Sequence, residues 1–353
     1  MTDLGLSAAA EGMLERHRRR TGRRALMVAG AAVLAALALV LDLITGPAGL
    51  PLAETLRALT GMGEVSRATS VIIWDVRLPV AVMALLVGAA LALAGAEMQT
   101  VLENPLAEPF TLGVSSSAAL GAALAIVLGL TIPFLPAIWS ISANAFVFAI
   151  GALGLLHLLA RLRGGGPETL ILFGIALNFA AGALLSLVQF IASADALQQL
   201  VFWTMGSLAA STWQTVVLGA VVLAVVAPFS WAAAWRLTAL KLGEERAVSF
   251  GINVAALRRA ALLRISLLAA GAVAMVGIIG FVGLAGPHIA RMLVGEDHRF
   301  YLPMSALTGA VVMSLASTAS KMVVPGVLLP IGIVTSLIGL PIFFWLILRQ
   351  GRR

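Results

Sequence analysis

Long apolar runs separated by short polar segments make up almost the whole chain. Each run is long enough to cross a bilayer as a helix, which takes about 20 apolar residues. The runs cover residues 25–45, 78–98, 110–131, 133–160, 170–194, 214–235, 261–295, 302–324 and 331–348. The pattern therefore predicts an all-α, polytopic membrane protein, with one transmembrane domain over residues 25–349.

The run at 261–295 is too long for a single crossing. As one helix it would measure about 52 Å, against a hydrocarbon core of about 30 Å. Glycines recur at every third position from Gly277 to Gly286, and Pro287 follows. Glycines at that spacing rotate around a helix and do not form one packing face. We therefore predict that the helix breaks here and turns back, with a short second half ending near Gly295. This gives about ten crossings.

Four polar segments lie outside the runs. Residues 1–24 form a basic tail, and residues 350–353 form a second short tail. A loop over 46–77 carries a short helix at 53–59, and the segment 195–213 carries an interfacial helix with Trp203 at headgroup level. The segment 236–259 reads as two short helices separated by glycines. Apolar residues spaced among its charges favour a docking platform for a soluble partner over a solvated connector.

Charge supports this topology. Hydrophobic residues make up 61% of the chain and charged residues only 11%, and the net charge is +7. All but four of the 23 Lys and Arg residues lie at 16–24, 161–163, 236–264, 291–299 or 349–353. Lys and Arg mark cytoplasmic loops, so both termini are expected inside, which agrees with an even number of crossings. Positive charge is thus explained by topology and by contact with anionic lipid, and no nucleic-acid binding is expected.

The chain lacks the motifs of common catalytic and metal sites. It has no cysteine, and it has no Walker A, HExxH or GxSxG run. It is therefore not expected to hydrolyse ATP itself, and no catalytic residue, cofactor or metal site is predicted. Asp42 and Glu97 lie near helix ends, where solvation at the interface is expected. No acid is expected at the membrane midplane, which disfavours a proton-coupled carrier.

The turn between the second and third apolar runs has a distinctive sequence. Residues 103–116 read Glu-Asn-Pro-Leu-Ala-Glu-Pro-Phe-Thr-Leu-Gly-Val-Ser-Ser, between the second and third runs. Two prolines and two carboxylates would break a helix, so the segment is predicted to be a turn on the cytoplasmic side.

Further motifs lie before and after this turn, in a fixed order along the chain. They include Arg77-Leu78-Pro79, Gly174-Ile175-Ala176-Leu177-Asn178, Phe202-Trp203-Thr204-Met205-Gly206-Ser207, Gly286-Pro287-His288-Ile289-Ala290-Arg291 and Leu329-Pro330-Ile331-Gly332. From about Trp74 to its end, the chain resembles the permease subunits of binding-protein-dependent ABC importers for iron-siderophores, haem and vitamin B12, the FecCD/B12-permease family.

The resemblance implies a type II importer fold in the cytoplasmic (inner) membrane. It implies three kinds of partner: two cytoplasmic ABC ATPase subunits, a periplasmic or lipid-anchored binding protein, and a second permease copy or paralogue. The loop within 236–259 would enter a groove on the ATPase, through Leu242, Gly243, Glu244, Ala247 and Gly251.

The resemblance also assigns gates and docking residues. The cytoplasmic gate would include Asn104, Gly166 and Pro167. Arg77 and Lys321 would dock carboxylates of the binding protein. The chain departs from the family at three positions that often carry charge, which here are Val80, Ser317 and Leu328.

The expected activity is ATP-driven uptake of a ferric siderophore. Haem and vitamin B12 remain alternatives within the family. An ion-coupled secondary transporter is a more distant alternative, and ATP-independent uptake would distinguish it.

Overall fold

The computed structural model describes residues 2–46, 49–61, 64–163, 166–324 and 327–350. Within these ranges the chain is helical and contains no β-strand. The helices are α1 Thr2–Ile44, α2 Leu52–Thr60, α3 Arg67–Val71, α4 Leu78–Val101, α5 Val114–Leu128, α6 Ser140–Arg163, α7 Pro167–Phe190, α8 Ala194–Thr204, α9 Trp213–Ala232, α10 Ala234–Leu240, α11 Glu244–Ser249, α12 Val254–Val276, α13 Val282–Val294, α14 His298–Met322 and α15 Ile331–Gln350. A π-helical turn at Ile72–Arg77 joins α3 to α4.

Helix α4 is the centre of the bundle and packs against α9, α12, α13 and α14. Glycines let these backbones approach closely, because no side chain separates them. A Cβ added to Gly88 would lie 2.3 Å from the carbonyl oxygen of Gly309 in α14. An added Cβ on Gly95 would overlap the backbone of Gly283 in α13. In contrast, α1, α7 and α9 expose large apolar side chains around the outside, as expected for a surface that faces lipid.

The basic segments meet at one end of the bundle, here named the basic end. Arg24 in α1 pairs with Asp297, which caps α14. Arg258 near the start of α12 donates to the carbonyl oxygen of Val101 at the end of α4. Helix α12 therefore runs antiparallel to α4, and α10 and α11 lie beside this same end. Arg77 and Lys321 lie at the opposite end.

The predicted break in the longest run is present. Helix α12 ends at Val276, and Gly277 adopts a φ of +75° that favours glycine. Helix α13 then runs back towards the basic end: Gly283 lies beside the middle of α4, and Arg291 hydrogen-bonds to Gln99 near its end.

The crossings add up to the expected number. In the described residues, seven helices are long and apolar enough to span a membrane. Three shorter apolar helices, Val114–Leu128, Val282–Val294 and Ile331–Pro341, bring the total to ten. The prediction of an all-α, polytopic protein with about ten crossings is confirmed.

Three shorter features also appear close to their predicted places. Helix α2 covers the segment predicted at 53–59, and α8 covers the predicted interfacial helix. Helices α10 and α11 divide the segment 236–259 at Gly243, and Gly251 separates α11 from α12. Helix α1 begins at Thr2 and continues from the predicted basic tail into the first crossing.

Candidate functional site

The segment that joins α10 to α12 forms a small surface at the basic end. Gly243 and Gly251 have φ angles of +107° and +78°, so each reverses the chain in a conformation that other residues rarely adopt. Between them, Ala247 is fully buried against the bundle. Leu242, Val248 and Phe250 are each more than half exposed. This surface, here named the coupling surface (Leu242–Gly251), shows apolar side chains among charges and is suited to contact with a partner protein.

The turn after α4, here named the gate turn (Leu102–Gly113), has a fixed backbone. Asn104 is half-buried, and its side-chain oxygen accepts a hydrogen bond of 2.9 Å from the backbone N–H of Leu106. Its own N–H donates to the carbonyl oxygen of Gln99. Glu103 has a φ of +50°, an uncommon conformation for a side chain of its type. Asn104 therefore shapes the turn through its side chain.

The gate turn rises from the basic end to the middle of the bundle. A Cβ added to Gly283 would lie 3.2 Å from the carbonyl oxygen of Leu91, 3.3 Å from Pro109 and 3.6 Å from the Cβ of Glu108. Leu91 is near the middle of α4, a helix about 36 Å long. Glu108 thus reaches a depth that the sequence did not suggest. Glu108 is therefore an acidic residue inside the bundle, beside α4 and α13, where the sequence predicted only a surface turn.

Glu108 borders a cavity of about 610 Å³. Phe110 of the gate turn also lines it, and the remaining lining residues come from places where helices stop: the end of α8, the break before α13 and the start of α15. Thr204 and Ser336 add hydroxyl groups to this lining. Irregular backbone at membrane depth is tolerated where it is buried in protein or lines a water-filled space. The cavity is therefore a candidate for part of a transport pathway.

Three glycines hold the wall of this cavity together. Gly332 and Ile331 at the start of α15 donate backbone hydrogen bonds to Met205 and Gly206. Added Cβ atoms on Gly206, Gly277 and Gly332 would lie 2.3–2.5 Å from carbonyl oxygens. The backbones of α8, the break and α15 are thus in direct contact, which explains why glycine is required at these positions.

Polar residues along the last turns of α4 connect it to its neighbours. Glu97 is fully buried, and Arg264 of α12 donates hydrogen bonds of 2.5, 2.9 and 3.0 Å to its carboxylate. Gln99 accepts from Arg291 at 2.8 Å, and Thr100 lies 2.8 Å from His298. The basic end of α4 is therefore tied to α12, α13 and α14.

Asp297 links α1 to α14 at the basic end. Its side chain caps α14 and contacts Arg299 at 2.8 and 3.0 Å. Hydrogen bonds from Arg299, together with the charges of Arg299 and Arg24, hold the pKa of Asp297 below its usual value, against a contribution from burial that raises it. Asp297 therefore stays ionised and keeps α1 paired to the turn before α14.

Arg77 and Lys321 lie together at the opposite end, but neither is a free surface charge. Lys321 donates to the carboxylate of Asp42 at 2.7 Å, and Arg77 donates to the carbonyl oxygens of Leu43 and Ile44. Ser317 and Thr318 also donate to Asp42. The acid that Lys321 meets thus comes from α1.

A cavity of about 240 Å³ lies beside this cluster. Arg77, Lys321, Val80, Ser317 and Leu328 all contribute to its lining. One guanidinium nitrogen of Arg77, Nη2, is buried and has no hydrogen-bond partner among the described residues.

The expectation that Asp42 and Glu97 are solvated at the interface is wrong. Both are fully buried, and each forms an ion pair with a basic residue of another helix. A signal was available in the sequence, because ionisable residues within apolar runs usually pair with one another. Arg264 and Lys321 are basic residues inside such runs and were the partners to consider.

The remaining predicted gate residues lie at the start of α7. Gly166 is its N-cap, and Pro167 is its first residue, where a missing N–H is harmless. Helix α6 ends at the basic end, since His157 lies near Arg259 of α12, so α7 begins there too. Asn104, Gly166 and Pro167 therefore share the basic end of the bundle. Among the described residues, the Asn104 side chain hydrogen-bonds to Leu106, and no hydrogen bond joins it to Gly166 or Pro167.

The chain matches known proteins over most of its length. Residues 34–349 match the model of the FecCD transport family. The hemin transport system permease protein HmuU of Yersinia pestis is 39% identical over 279 residues, 79% of this chain and 84% of that protein. The vitamin B12 import system permease protein BtuC of Vibrio vulnificus is 36% identical over 280 residues, 78% of this chain and 82% of that protein.

A solved structure agrees with the fold. The structure of a metal-chelate type ABC transporter in an inward-facing conformation superposes with a TM-score of 0.81 at 33% sequence identity. The match covers 92% of this chain and 99% of the other.

Proposed function

We propose that this chain, which belongs to the FecCD transport family of ABC importer permeases, carries a ferric siderophore across the bacterial inner membrane. The family assignment makes it a permease subunit that is not itself the ATPase. Relatives are named for haem and for vitamin B12, which like siderophores are metal chelates, and both stay as alternative cargoes. The basic end, with its excess of Lys and Arg, would face the cytoplasm, and so would both termini.

The coupling surface is the observation that carries this function. Energy from a separate ATPase must enter the permease through a contact outside the membrane. Leu242, Val248 and Phe250 expose apolar area at the basic end, and Ala247 anchors that area to the bundle. We assign ATPase coupling to Leu242, Gly243, Glu244, Ala247 and Gly251, with Ala247 holding the segment from inside the bundle and two ATPase subunits serving a pair of permeases.

The gate turn would act as the cytoplasmic gate of the pathway. Asn104 holds its shape, and Gly166 and Pro167 lie at the same end. A second permease copy would supply the opposite wall of the cavity that Glu108 borders. The carboxyl group of Glu108 in that wall offers a hydrogen-bonding site to the cargo.

Docking of a binding protein would take place at the opposite end. Lys321 is already neutralised by Asp42, and Arg77 is only 6% exposed, with its guanidinium against Leu43, Ile44 and Gly46. Arg77 would therefore meet a partner carboxylate only once the segment after α1 moves aside. Arg77→Gln should weaken binding-protein affinity, since a charge-assisted hydrogen bond is lost. Titration of the binding protein onto the reconstituted transporter measures this. An affinity equal to that of the parent would remove Arg77 from the docking site.

The cargo is tested through the partner binding protein. That protein is identified by its cross-linking to this permease in intact cells, and its affinity is measured for a ferric siderophore, haem and cobalamin. We expect the tightest binding for the ferric siderophore and competition by that ligand alone for uptake. Preference for haem or cobalamin would replace the siderophore assignment and leave the permease function intact.

A further inference from the structure

Arg258 joins two segments that are far apart in the chain. Its Nη2 atom lies 2.8 Å from a carboxylate oxygen of Glu244, the first residue of α11 in the coupling surface. The same atom lies 2.9 Å from a carboxylate oxygen of Glu103 in the gate turn. Its Nε donates to the carbonyl oxygen of Val101, at 3.2 Å.

The burial of the three side chains is unequal. The side chain of Arg258 is only 6% exposed, whereas those of Glu103 and Glu244 are 45% and 50% exposed. Arg258 is therefore fixed in the bundle, and the two half-exposed carboxylates reach it from the gate turn and from the start of α11. A planar guanidinium has several donors in a rigid fork, so one Arg can hold two carboxylates in a defined relative position. A buried charge of this kind is stable only while its partners stay in place.

Other polar links reach the last turns of α4 and its neighbours from α10 and from Lys241, which follows α10. Thr238 of α10 contacts His298, which contacts Thr100, and Lys241 pairs with Glu296, which pairs with Arg291. These links end on residues within α4 and α13 and do not reach the gate turn. The contact through Arg258 ends on Glu103, the residue next to Asn104.

We propose that Arg258 is a positioning residue that couples the ATPase-contacting segment to the cytoplasmic gate. A movement of α11 that displaces Glu244 changes the charge balance at Arg258. Arg258 then shifts its hydrogen bonding towards Glu103 and Val101, and the gate turn responds. This role rests on the proposed function, since it requires an ATPase that moves α11.

The absence of cysteine from the chain allows a direct readout of the gate. Leu106→Cys places one thiol in the gate turn of an otherwise thiol-free permease. In proteoliposomes that contain the permease, its ATPase and the binding protein, the labelling rate of this thiol by an impermeant maleimide is measured with and without ATP and vanadate. ATP hydrolysis and cargo uptake are measured in the same preparations.

Four variants in the Leu106→Cys parent test the link. These are Glu244→Gln, Glu103→Gln, the double variant, and Arg259→Gln as a matched control on the adjacent, exposed residue of α12. Both single variants should keep ATP hydrolysis but lower cargo transported per ATP by about fivefold or more, the usual range of a coupling between sites. The difference in the thiol labelling rate with and without nucleotide should be reduced by the same amount in the two single variants. The double variant should be no worse than either single one, because either change breaks the same link, and Arg259→Gln should match the parent.

Two results would overturn the proposal. One is a normal nucleotide response in both single variants. The other is a double variant whose loss equals the product of the single losses, since the two carboxylates would then act independently. Failure of the proposed function would look different, because the parent itself would then show no ATP-dependent uptake and no labelling response.

Discussion

Removal of the buried carboxylate at Glu97 should strongly destabilise the protein. Glu97 is fully buried, and Arg264, 9% exposed, gives it three hydrogen bonds of 2.5–3.0 Å. Glu97→Gln leaves the guanidinium of Arg264 inside the membrane region without its counter-charge. Loss of one partner from a buried ion pair costs about 3–5 kcal/mol. The neutral amide can still accept one hydrogen bond, so we expect the lower part of that range.

A double-mutant cycle isolates the pair. Equilibrium unfolding in mixed micelles gives the free energy of unfolding for Glu97→Gln, Arg264→Gln and the double variant. The double variant should lose less stability than the sum of the single losses, by about 0.5–3 kcal/mol, because it contains no unpaired charge. Glu15→Gln serves as a control, since its ion pair with Arg19 is exposed and should contribute at most about 1 kcal/mol. Additive losses in the cycle would show that the two charges do not stabilise each other.

Three further substitutions test other parts of the structure. Leu242→Asp should prevent co-purification of the ATPase while Leu242→Val preserves it, because Leu242 is exposed apolar area on the coupling surface; equal recovery would exclude Leu242 from the contact. Gly332→Val should destabilise the protein by about 1–3 kcal/mol, since its Cβ would lie 2.4 Å from a carbonyl oxygen, whereas Gly280→Ala has open space and should be tolerated. Asn104→Ala should increase passive cargo leakage from loaded proteoliposomes, because the gate turn loses its internal hydrogen bond; unchanged leakage would remove Asn104 from the gate.

The sequence was sufficient for the membrane spans and for the break before α13. A membrane span is recognised from the average hydropathy of about 20 residues, so a single polar residue does not hide it. The break was visible because glycines and Pro287 interrupt an apolar run of excessive length. Gly243 and Gly251 were likewise visible in the sequence as the limits of α11. Each has a positive φ in the structure, which ends a helix and which glycine adopts readily.

The ion pairs were not predictable in the same way. Asp42 and Lys321 are 279 residues apart, Glu97 and Arg264 are 167 apart, and Glu103 and Arg258 are 155 apart. Local patterns contain no information on which helices become neighbours. The depth of Glu108 was missed for a related reason: a polar turn is normally placed at the membrane surface, and here the turn folds back into the bundle.

Uptake into proteoliposomes tests the transport assignment most directly. The permease is reconstituted with its ATPase and binding protein, and the accumulation of a radiolabelled ferric siderophore is followed with ATP, without ATP and with a non-hydrolysable analogue. We predict accumulation only with ATP, and its loss when a Gly/Ser linker replaces residues 242–251. Accumulation that is independent of ATP, or that survives replacement of the coupling surface, would contradict the assignment and favour a secondary transporter.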